Sequence, residues 1–419
     1  MQLDKKNKNK VYDLIALASC SLLGVSTPAL AGGSNADDWK VDTAVLYYDE
    51  TDRVNAVESA ISVSKDLGGE KILSGKITID TLSGSSHNGA SVSDYEQTFT
   101  SPSGETSYVI APGEVPLDPN FKDERTAFNL QMSQPLNRVT NIEYGAAFST
   151  ETDYKSLSVN ASVIRDFNQR NTTLSAGLSF AQDEISPRDG VPVSYSLMSD
   201  NVKSGSDNKS TVDLLMGVTQ VINRNTIMQF NYGLGHSAGY HNDPYKIVSI
   251  ISDDIGKPLD YLFESRPESR MKHSLYWETK HHFENDMIDF SLRLMADDWG
   301  VNSQTLDMHY RWNISDQYYL EPHVRYYTQS AADFYQYEIS NGGLSAEQVA
   351  AKYKKEGTDV TADYRLGNLD TTTMGIKWGA ELFENHQLTS RIELYQQSGD
   401  SKVADVDAII FQIGYGLKF

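Results

Sequence analysis

Apolar side chains alternate with small or polar ones along most of this chain, in runs about ten residues long. In "TLSAGLSF", for example, Leu174, Ala176, Leu178 and Phe180 alternate with Thr, Ser and Gly. Successive side chains of a β-strand point to opposite faces, so this period predicts strands with one apolar face. About ten residues is the length that a tilted strand needs to cross a bilayer. After the N-terminal segment, no stretch is apolar enough for a transmembrane helix.

The connections between these runs fall into two classes. Short, turn-rich connections such as "KDLGGEK", "NQRN" and "FENHQ" take turns with long polar ones at Ser83–Lys122, Gln182–Ser210, Ser237–Arg270 and Ser330–Asp370. Outer-membrane barrels alternate short periplasmic turns with long extracellular loops in this way. The alternative is a soluble β-sandwich or propeller. Its strands also alternate apolar and polar side chains, but its connections do not fall into two classes. The fold class expected is therefore all-β, a transmembrane antiparallel up-and-down β-barrel with long extracellular loops and short periplasmic turns.

The alternation predicts about sixteen strands, the class of barrel that can enclose an aqueous lumen. The second of them has the weakest pattern. The predicted strands cover residues 40–49, 53–65, 70–82, 123–134, 139–150, 155–167, 171–182, 210–222, 226–236, 271–283, 287–298, 302–313, 317–329, 371–383, 388–398 and 407–419.

The first 31 residues have the features of a secretory signal peptide. Four lysines precede an apolar run, and the segment ends in Ala29-Leu30-Ala31. We expect cleavage before Gly32, which leaves residues 32–419 as the barrel. The stretch "LASC" permits an alternative in which Cys20 is a lipidated N-terminus, although the apolar run before it is short for that role. Cys20 is the single cysteine of the chain, so the chain cannot form an internal disulfide.

The last strand, "QIGYGLKF", has Ile413, Tyr415, Leu417 and Phe419 on one face. We interpret it as the closing strand of the barrel, with these side chains towards lipid. The spacing of four residues resembles the terminal signal by which the barrel-assembly machinery recognises outer-membrane proteins. These residues are Gln412, Gly414, Leu417 and Phe419.

A second resemblance extends over nearly the whole mature chain. It is carried by "DTLSGSSHNGA", "QTFTSPSG", "VPLDPNFKDERTAFN", "GYHNDPYK", "ESRPESRMKHSL" and "DDWGVNSQTLD". These blocks resemble an uncharacterised Gram-negative outer-membrane family, the domain of unknown function 3570. The resemblance implies a barrel in the outer membrane, and it implies no activity and no functional residues.

Charged residues at the inward positions of the later strands are the candidate functional residues. A turn centred near Ser315 would place Asp307 opposite His323 and His309 opposite Glu321, and neighbouring hairpins would place Glu278 opposite Arg293 and Lys377 opposite Glu393. Opposite charges across a strand pair favour the register. The set could form a pore wall that selects solutes, or it could be a polar interior that satisfies itself with ion pairs. The predicted lumen-facing residues are Glu278, Arg293, Asp307, His309, Arg311, Glu321, His323, Arg325, Lys377, Arg391 and Glu393.

The net charge of −21 excludes nucleic acid as a partner, because phosphate binding requires a basic surface. The expected partners are outer-membrane lipid, lipopolysaccharide and the barrel-assembly machinery, with divalent cations at acidic loop pairs such as Asp253-Asp254 and Asp297-Asp298 as a further candidate. No metal-binding, cofactor-binding or catalytic motif is present, so we expect no cofactor.

These patterns lead to a porin-like channel or a partner-dependent conduit as the expected function. The alternative is a barrel that is plugged by its own loops and binds a partner at the surface. A barrel enzyme is a third hypothesis. It would need His236, His241 and Asp243 to meet Asp297 and Asp298 at the extracellular rim, where such a cluster could activate water.

Overall fold

The structure, a computed structural model, describes residues 39–100, 107–383 and 385–419. The predicted signal peptide and Cys20 lie outside these residues. The described chain contains 23 strands, in the order β1 (Trp39–Glu50), β2 (Val54–Asp66), β3 (Ile72–His87), β4 (Gln97–Thr100), β5 (Ser107–Ile110), β6 (Leu117–Asn137), β7 (Thr140–Thr150), β8 (Tyr154–Phe167), β9 (Thr172–Ile185), β10 (Val191–Pro192), β11 (Lys203–Ser204), β12 (Asp207–Asn223), β13 (Thr226–Gly239), β14 (Ile247–Ile251), β15 (Pro258–Phe263), β16 (Ser269–His282), β17 (Met287–Asp297), β18 (Asn302–Asn313), β19 (Tyr318–Gln329), β20 (Glu338–Ser340), β21 (Leu369–Leu382), β22 (His386–Gly399) and β23 (Val406–Lys418).

Sixteen of these strands form a closed antiparallel barrel. Their order around the wall is β1, β2, β3, β6, β7, β8, β9, β12, β13, β16, β17, β18, β19, β21, β22 and β23, and β23 pairs with β1 to close it. Each strand lies beside the barrel strand that follows it in sequence, so the topology is up-and-down. The predicted fold class is confirmed. All sixteen predicted strands are present, including the weakly patterned second one, with ends that differ by a few residues.

The outer face of the barrel is apolar. Leu178 is 56% exposed and Ile413 is 45% exposed, whereas Thr173 on the inner face is only 4% exposed. This is the reverse of a water-soluble protein, which buries its large apolar side chains. A continuous apolar surface of this kind requires an apolar environment such as lipid tails. Among the described residues, no helix is both long enough and apolar enough to cross a membrane.

The two ends of the barrel differ, as the two classes of connection predict. At the turn end, strands are joined through residues 67–71, 138–139, 168–171, 224–225, 283–286, 314–317 and 383–385. At the loop end, four connections are short, with three to six residues, and four are long loops, at residues 88–116, 186–206, 240–268 and 330–368. The long loops correspond to the four that were predicted from the sequence.

The longest loop contains a helix that the alternation pattern does not predict. Helix α1 (Ala346–Glu356) begins after Ser345, whose side chain accepts a hydrogen bond from the backbone N–H of Gln348. The Gln348 side chain binds back to the N–H of Ser345, which completes a capping box. The helix ends at Gly357, which adopts the left-handed conformation that glycine tolerates. This loop is therefore a folded segment with its own secondary structure.

Candidate functional site

The four long loops pack together at the loop end of the barrel. We call this assembly the cap and define it as residues 88–100, 107–116, 186–206, 240–268 and 330–368. Within it, β14 pairs with β15 in antiparallel fashion and with β20 in parallel fashion. Val248, Ile250 and Leu262 of this small sheet are 0% exposed and pack against α1 residues such as Val349. The cap therefore has an apolar core of its own, outside the barrel wall.

The cap extends across the mouth of the barrel. The loops that follow β3, β13 and β19 start from the third, ninth and thirteenth positions in the order of sixteen wall strands. Nevertheless, they contact one another directly. The backbone N–H of Ser91 donates to Ser249 Oγ at 2.9 Å, and the N–H of Val92 donates to the Tyr337 hydroxyl at 2.8 Å. Loops that start from separate parts of the wall can meet only above the opening or within it, so these contacts lie across it.

Contacts with the rim hold the cap in place around the mouth. The Tyr245 hydroxyl donates to Asp153, in the turn between β7 and β8. The Lys246 ammonium donates to the backbone carbonyl of His87, at the end of β3. The ring of Tyr364, from the loop that follows β19, lies 6.2 Å from the His87 ring, and the guanidinium of Arg53, between β1 and β2, lies 5.9 Å from the Tyr364 ring. The cap is thus attached to several separate points on the wall.

A buried ion-pair network joins two loops of the cap. Arg266 Nη2 donates to Glu264 at 3.0 Å and to Asp363 at 2.9 Å. Arg365 binds Asp363 through two nitrogens, at 2.9 and 2.7 Å, and also reaches Asp243 at 2.8 Å. The side chains of Glu264 and Asp363 are each only 1% exposed. Because these charges have little water around them, removal of one partner leaves a costly uncompensated charge.

The network sets the protonation of its two buried carboxyl groups differently. Burial raises the pKa of Glu264 to about 7, although Arg266 acts in the opposite direction. Burial would also raise the pKa of Asp363, but Arg365 and Arg266 outweigh it and hold this pKa well below its usual range. Asp363 is therefore the permanent anion of the network, while Glu264 titrates near neutral pH.

A cavity of about 710 Å³ lies between the cap and the end of the wall. Both the cap and the barrel line it: Arg365 and Arg266 come from the cap, whereas Lys209, Arg270 and Trp299 come from the wall strands and their turns. Arg270 lies over the Trp299 ring at 4.4 Å. The cavity is large enough for a small molecule, and several cations line its surface.

The eleven charged residues predicted to face the lumen lie on one side of the barrel, on β16, β17, β18, β19, β21 and β22. Their neighbours in the alternation, such as Leu306, Met308 and Ile376, are exposed on the outer face. The eleven side chains therefore point inward. The residue pairs predicted to stand opposite one another are wrong by two residues in each hairpin.

The observed register places different residues opposite one another. Asp307 stands opposite Arg325, and His309 stands opposite His323. In the neighbouring hairpin, Arg293 stands opposite Tyr276, and Glu278 is opposite a serine. Lys377 stands opposite Arg391 on one side and Glu321 on the other, and Gly375 rather than Lys377 is opposite Glu393.

The turn between β18 and β19 explains the first of these differences. The register centres the turn on Asp316 instead of Ser315. The Ser315 hydroxyl accepts hydrogen bonds from the backbone N–H groups of Gln317 and Tyr318, so its side chain caps the turn. Because the strands run in opposite directions, moving the centre by one residue moves every cross-strand partner by two.

The corrected register brings a carboxylate and two imidazoles together on the lumen wall. The rings of His309 and His323 stack with centroids 4.0 Å apart and an interplanar angle of 6°. Asp307 Oδ1 lies 3.0 Å from His309 Nε2, and its Oδ2 lies 3.3 Å from His323 Nε2. One ligand atom from each of the three residues lies within 4.8 Å of the others. These residues, which we call the lumen triad, have donor atoms that could hold a metal ion.

Two glutamates support the lumen triad from behind. Glu393 Oε1 lies 2.7 Å from His323 Nδ1, and Glu321 Oε1 lies 3.7 Å from His309 Nδ1. Each glutamate also has a cation of its own. Arg311 Nε donates to Glu321 at 2.7 Å, and Arg391 lies 3.5 Å from Glu393. The predicted lumen residues thus include a connected network, although the sequence alone does not predict its geometry.

Arg293 and Arg325 differ from the other lumen cations. Within residues 39–100, 107–383 and 385–419, neither guanidinium has a carboxylate within salt-bridge distance. Arg293 instead lies over the Tyr276 ring at 5.4 Å. These two cations are therefore the members of the predicted set whose charge is least compensated by the described wall.

The rim cluster expected for a barrel enzyme does not form. His236 is exposed on the outer face, while His241 binds Ser237 Oγ at 2.8 Å and the Gly239 carbonyl at 2.9 Å. Asp243 pairs with Arg365, and the carboxylate of Asp297 pairs with Arg270. These two carboxylates thus have arginine partners that the sequence pattern does not reveal, and Asp298 accepts a hydrogen bond from the backbone N–H of Met271 at 2.9 Å.

The last strand has the predicted orientation. Ile413 and Tyr415 are exposed on the outer face at 45% and 39%, and Gln412 and Gly414 alternate with them on the inner face. β23 pairs with β1 along its length, and the backbones of Phe419 and Trp39 exchange two hydrogen bonds at 2.6 and 2.9 Å. The closing strand is thus fastened to the first described residue.

Comparison with solved structures finds barrels of low sequence identity. A mutant of the ferric enterobactin receptor PfeA from Pseudomonas aeruginosa is 9% identical, with a TM-score of 0.42, and the alignment covers 87% of this chain and 54% of the receptor. CdiB from Acinetobacter baumannii is 8% identical with a TM-score of 0.49, over 91% of this chain and 60% of CdiB. A bacterial polysaccharide outer membrane secretin is 9% identical with a TM-score of 0.46, over 92% and 100%. This chain therefore spans little more than half the length of the receptor.

The search of curated proteins gives no match. One family model, described as a protein of unknown function (DUF3570), matches residues 12–412. The match covers nearly the whole chain and confirms the resemblance that the sequence blocks carry. The chain belongs to the DUF3570 family of proteins of unknown function.

Proposed function

We propose that this protein is an outer-membrane barrel that works as a capped conduit. Its cap faces the outside of the cell and closes the mouth until it is displaced. The observation that carries the proposal is the direct pairing, over the lumen, of loops that start from separate parts of the wall. A loop that merely narrows an open pore has no need of an apolar core. A cap with its own core and ion-pair network can move as one packed unit, as the proposed change from closed to displaced requires.

The lipid-facing band and the polar inner face support the location and the conduit. Sixteen strands enclose a lumen wide enough for water, and the inward charges provide a polar path beneath the cap. Insertion would use the barrel-assembly machinery. The terminal stretch from Gln412 to Phe419 resembles the signal that this machinery recognises. The proposal assigns no reaction to the barrel.

The decisive experiment compares the whole protein with a capless variant in planar lipid bilayers. The loop ends stay close at the cut points, because the N–H of Gly239 donates to the Glu268 carbonyl at 2.8 Å and that of Ala332 to the Leu366 carbonyl at 2.8 Å. The ends of the other two long loops are also paired, His87 with Leu117 and Ile185 with Asp207. Replacement of all four loops, at residues 88–116, 186–206, 240–267 and 333–365, by short Gly/Ser turns therefore leaves the wall strands paired. We expect the whole protein to be mostly silent and the capless variant to conduct ions steadily. A capless variant that folds and stays silent would reject the conduit.

The ion preference of the capless variant tests the lumen wall. Arg293 and Arg325 are the least compensated cations, so changing both to Glu should shift the reversal potential in a salt gradient towards cation selectivity. The matched control changes Lys122 and Lys155 to Glu. These lysines are 66% and 53% exposed at the loop end, on the outer face. The control makes the same change in net charge, and it should leave the reversal potential close to that of the parent.

A surface-binding protein is the second candidate, and the cavity under the cap favours it. Its lining carries cations, such as Arg270 and Arg365, beside carboxylates, such as Asp243, so it suits a small polar ligand with groups for both. If the capless variant is silent while the whole protein binds a ligand at this cavity, the barrel serves as a support for the cap. If the capless variant conducts, the cap is the gate.

A further inference from the structure

We propose that Asp307, His309 and His323 bind one divalent transition-metal ion on the lumen wall. The proposal concerns a site in the barrel itself and does not depend on whether the lumen conducts. It rests on the geometry of the three side chains, on the hydrogen-bonding capacity of the two imidazoles and on the residues that hold them.

The three side chains lie close enough to share one metal ion, although the stacked imidazoles must tilt for both Nε2 lone pairs to point at it. Metal bonds from imidazole nitrogen and carboxylate oxygen are about 2.0–2.2 Å long, which makes the edge of a tetrahedron about 3.3 Å. His309 Nε2 lies 3.0 Å from Asp307 Oδ1, and His323 Nε2 lies 3.3 Å from the other oxygen, Oδ2. One ligand atom from each residue lies within 4.8 Å of the others, so the three must move closer together around an ion. An ion between these atoms would take one oxygen and two Nε2 nitrogens. Because Asp307 and His309 are partly exposed, at 23% and 35% for their side chains, a fourth position faces the lumen.

Two neutral imidazoles cannot donate to all the carboxylates that face them. A neutral imidazole has one N–H and one acceptor nitrogen, yet each ring here lies between two carboxylates. His323 has Glu393 at Nδ1 and Asp307 at Nε2, and His309 has Glu321 at Nδ1 and Asp307 at Nε2. If Nδ1 donates, a lone pair at Nε2 faces a carboxylate oxygen. Two doubly protonated rings would instead stack as cations 4.0 Å apart. A metal ion at the Nε2 side lets both rings stay neutral with Nδ1 donating. The alternative is a doubly protonated His323 beside a neutral His309, and a barrel in that state would bind no stoichiometric Co²⁺.

The charge balance places the cation at Asp307. Glu321 has Arg311 and Glu393 has Arg391, as described above. In the described part of the chain, the carboxylate of Asp307 has only the two imidazoles as ion-pair partners. The positive charge that compensates this carboxylate therefore comes from the rings or from an ion that they share with it.

The surrounding wall is built to orient the ligands. A glutamate at the second nitrogen fixes the tautomer of a metal-binding histidine and makes it a stronger ligand. Glu393 reaches His323 across β21 only because Gly375 lies between them in the row His323, Gly375, Glu393. A Cβ at Gly375 would lie 2.3 Å from Glu393 Cγ and 2.7 Å from the Ile392 carbonyl oxygen. A glycine at this position thus leaves room for the carboxylate–histidine contact.

The donor set selects the class of ion. Calcium and magnesium prefer all-oxygen sites, whereas imidazole suits zinc, copper, nickel, cobalt and iron. Two imidazoles with one carboxylate and an open position resemble the ligand sets of zinc and non-haem iron sites. A late first-row ion such as Zn²⁺ therefore fits this site better than the hard cations that the acidic loops would take.

The test uses the whole barrel, purified in detergent, treated with EDTA and freed of the chelator. Titration with Co²⁺ is followed by its visible absorption, and Zn²⁺ is then added to displace it. We expect one Co²⁺ per chain with the strong absorption of a four-coordinate site. His309→Gln and His323→Gln should each abolish the signal. His273→Gln is the matched control. His273 is also on a wall strand, two strands from β18, but it is exposed on the outer face, where its ring binds the Tyr232 hydroxyl at 2.8 Å.

Folding of each variant is checked by the difference in gel mobility between heated and unheated samples. Asp307→Asn, which hardly changes the shape of the side chain, should also lose the Co²⁺ signal. Glu393→Gln keeps all three ligands and should weaken affinity about tenfold to a hundredfold, because it acts only through the orientation of His323. Absence of stoichiometric Co²⁺ binding to the wild-type barrel would overturn the proposal. So would a signal that survives in folded Asp307→Asn and His309→Gln.

Discussion

The stability of the cap can be tested at Leu262, whose side chain is fully buried in the cap core. It packs in one cluster with Leu197 and Val248, and no residue of the sixteen wall strands belongs to this cluster. Replacing a buried leucine with alanine costs about 2–5 kcal/mol, from lost apolar burial and the cavity left behind. Because each 1.4 kcal/mol is tenfold in an equilibrium constant, Leu262→Ala should increase the opened population of the cap by about 30-fold to several thousand-fold. The barrel wall should be unaffected.

Hydrogen–deuterium exchange measured by mass spectrometry provides the readout. Peptides that cover 247–251 and 258–263 should lose protection by the factor given above, whereas peptides from β9 should exchange as in the wild type. The matched control is Leu178→Ala. Leu178 is 56% exposed on the outer face, so its truncation should leave the exchange of the cap unchanged. If cap peptides of the wild type exchange as fast as unfolded chain, or if Leu262→Ala does not alter them, the cap is not an independently packed unit.

The remaining predictions concern processing, assembly and pH. Mass spectrometry of the mature protein should find Gly32 at the N-terminus and recovery with the outer membrane, and a diacylated Cys20 would contradict this. Deletion of Phe419 should lower the amount of inserted barrel, measured by heat-dependent gel mobility. Leu417→Asp should lower it less strongly, because an acidic residue on the lipid face costs less than the roughly 2–4 kcal/mol of Arg or Lys. Burial raises the pKa of Glu264 to about 7 from its usual 4.5, so the folded cap binds more protons than the opened cap between these values and loses stability as the pH rises through them. The test is the ratio of the hydrogen-exchange rate of cap peptides in the wild type to that in Glu264→Gln at the same pH. This ratio should increase from about pH 5 to about pH 7.5. A constant ratio would show that the Glu264 carboxyl does not titrate in the cap.

The wall of the barrel could be predicted because its signal is local. Each strand shows its two faces through the parity of its residues, and the lipid-facing parity is the apolar one. The same parity places His309, His323 and Glu393 on the inner face. The register between neighbouring strands could not be predicted in this way, because it depends on which residue is at the centre of each turn. At Ser315 the side chain caps the turn and shifts the centre by one residue, which a pattern of alternating hydrophobicity does not reveal.

The cap and the lumen triad could not be predicted because both depend on contacts between distant segments. Ser91 and Ser249 of the cap are 158 residues apart, and Glu393 is 70 residues from His323. One local signal was present in the sequence. The stretch "KIVSIIS" at residues 246–252 is a run of apolar residues within a loop that otherwise reads as polar, and it forms the buried strand β14. Such a run inside a predicted extracellular loop indicates a buried segment.

The arrangement of the cap also determines when it can fold. Its core joins residues from loops that are separated in sequence by complete wall strands, so the entropy of closing those long chain segments must be overcome before the core forms. A closed wall holds the loop ends at fixed positions and removes most of that cost in advance. We therefore expect the barrel to act as a template, with its extracellular fold forming last, after insertion. Since Cys20 is the single cysteine, this last step has no internal disulfide to secure it, and the packed core and the ion pairs of Asp363 must hold the product.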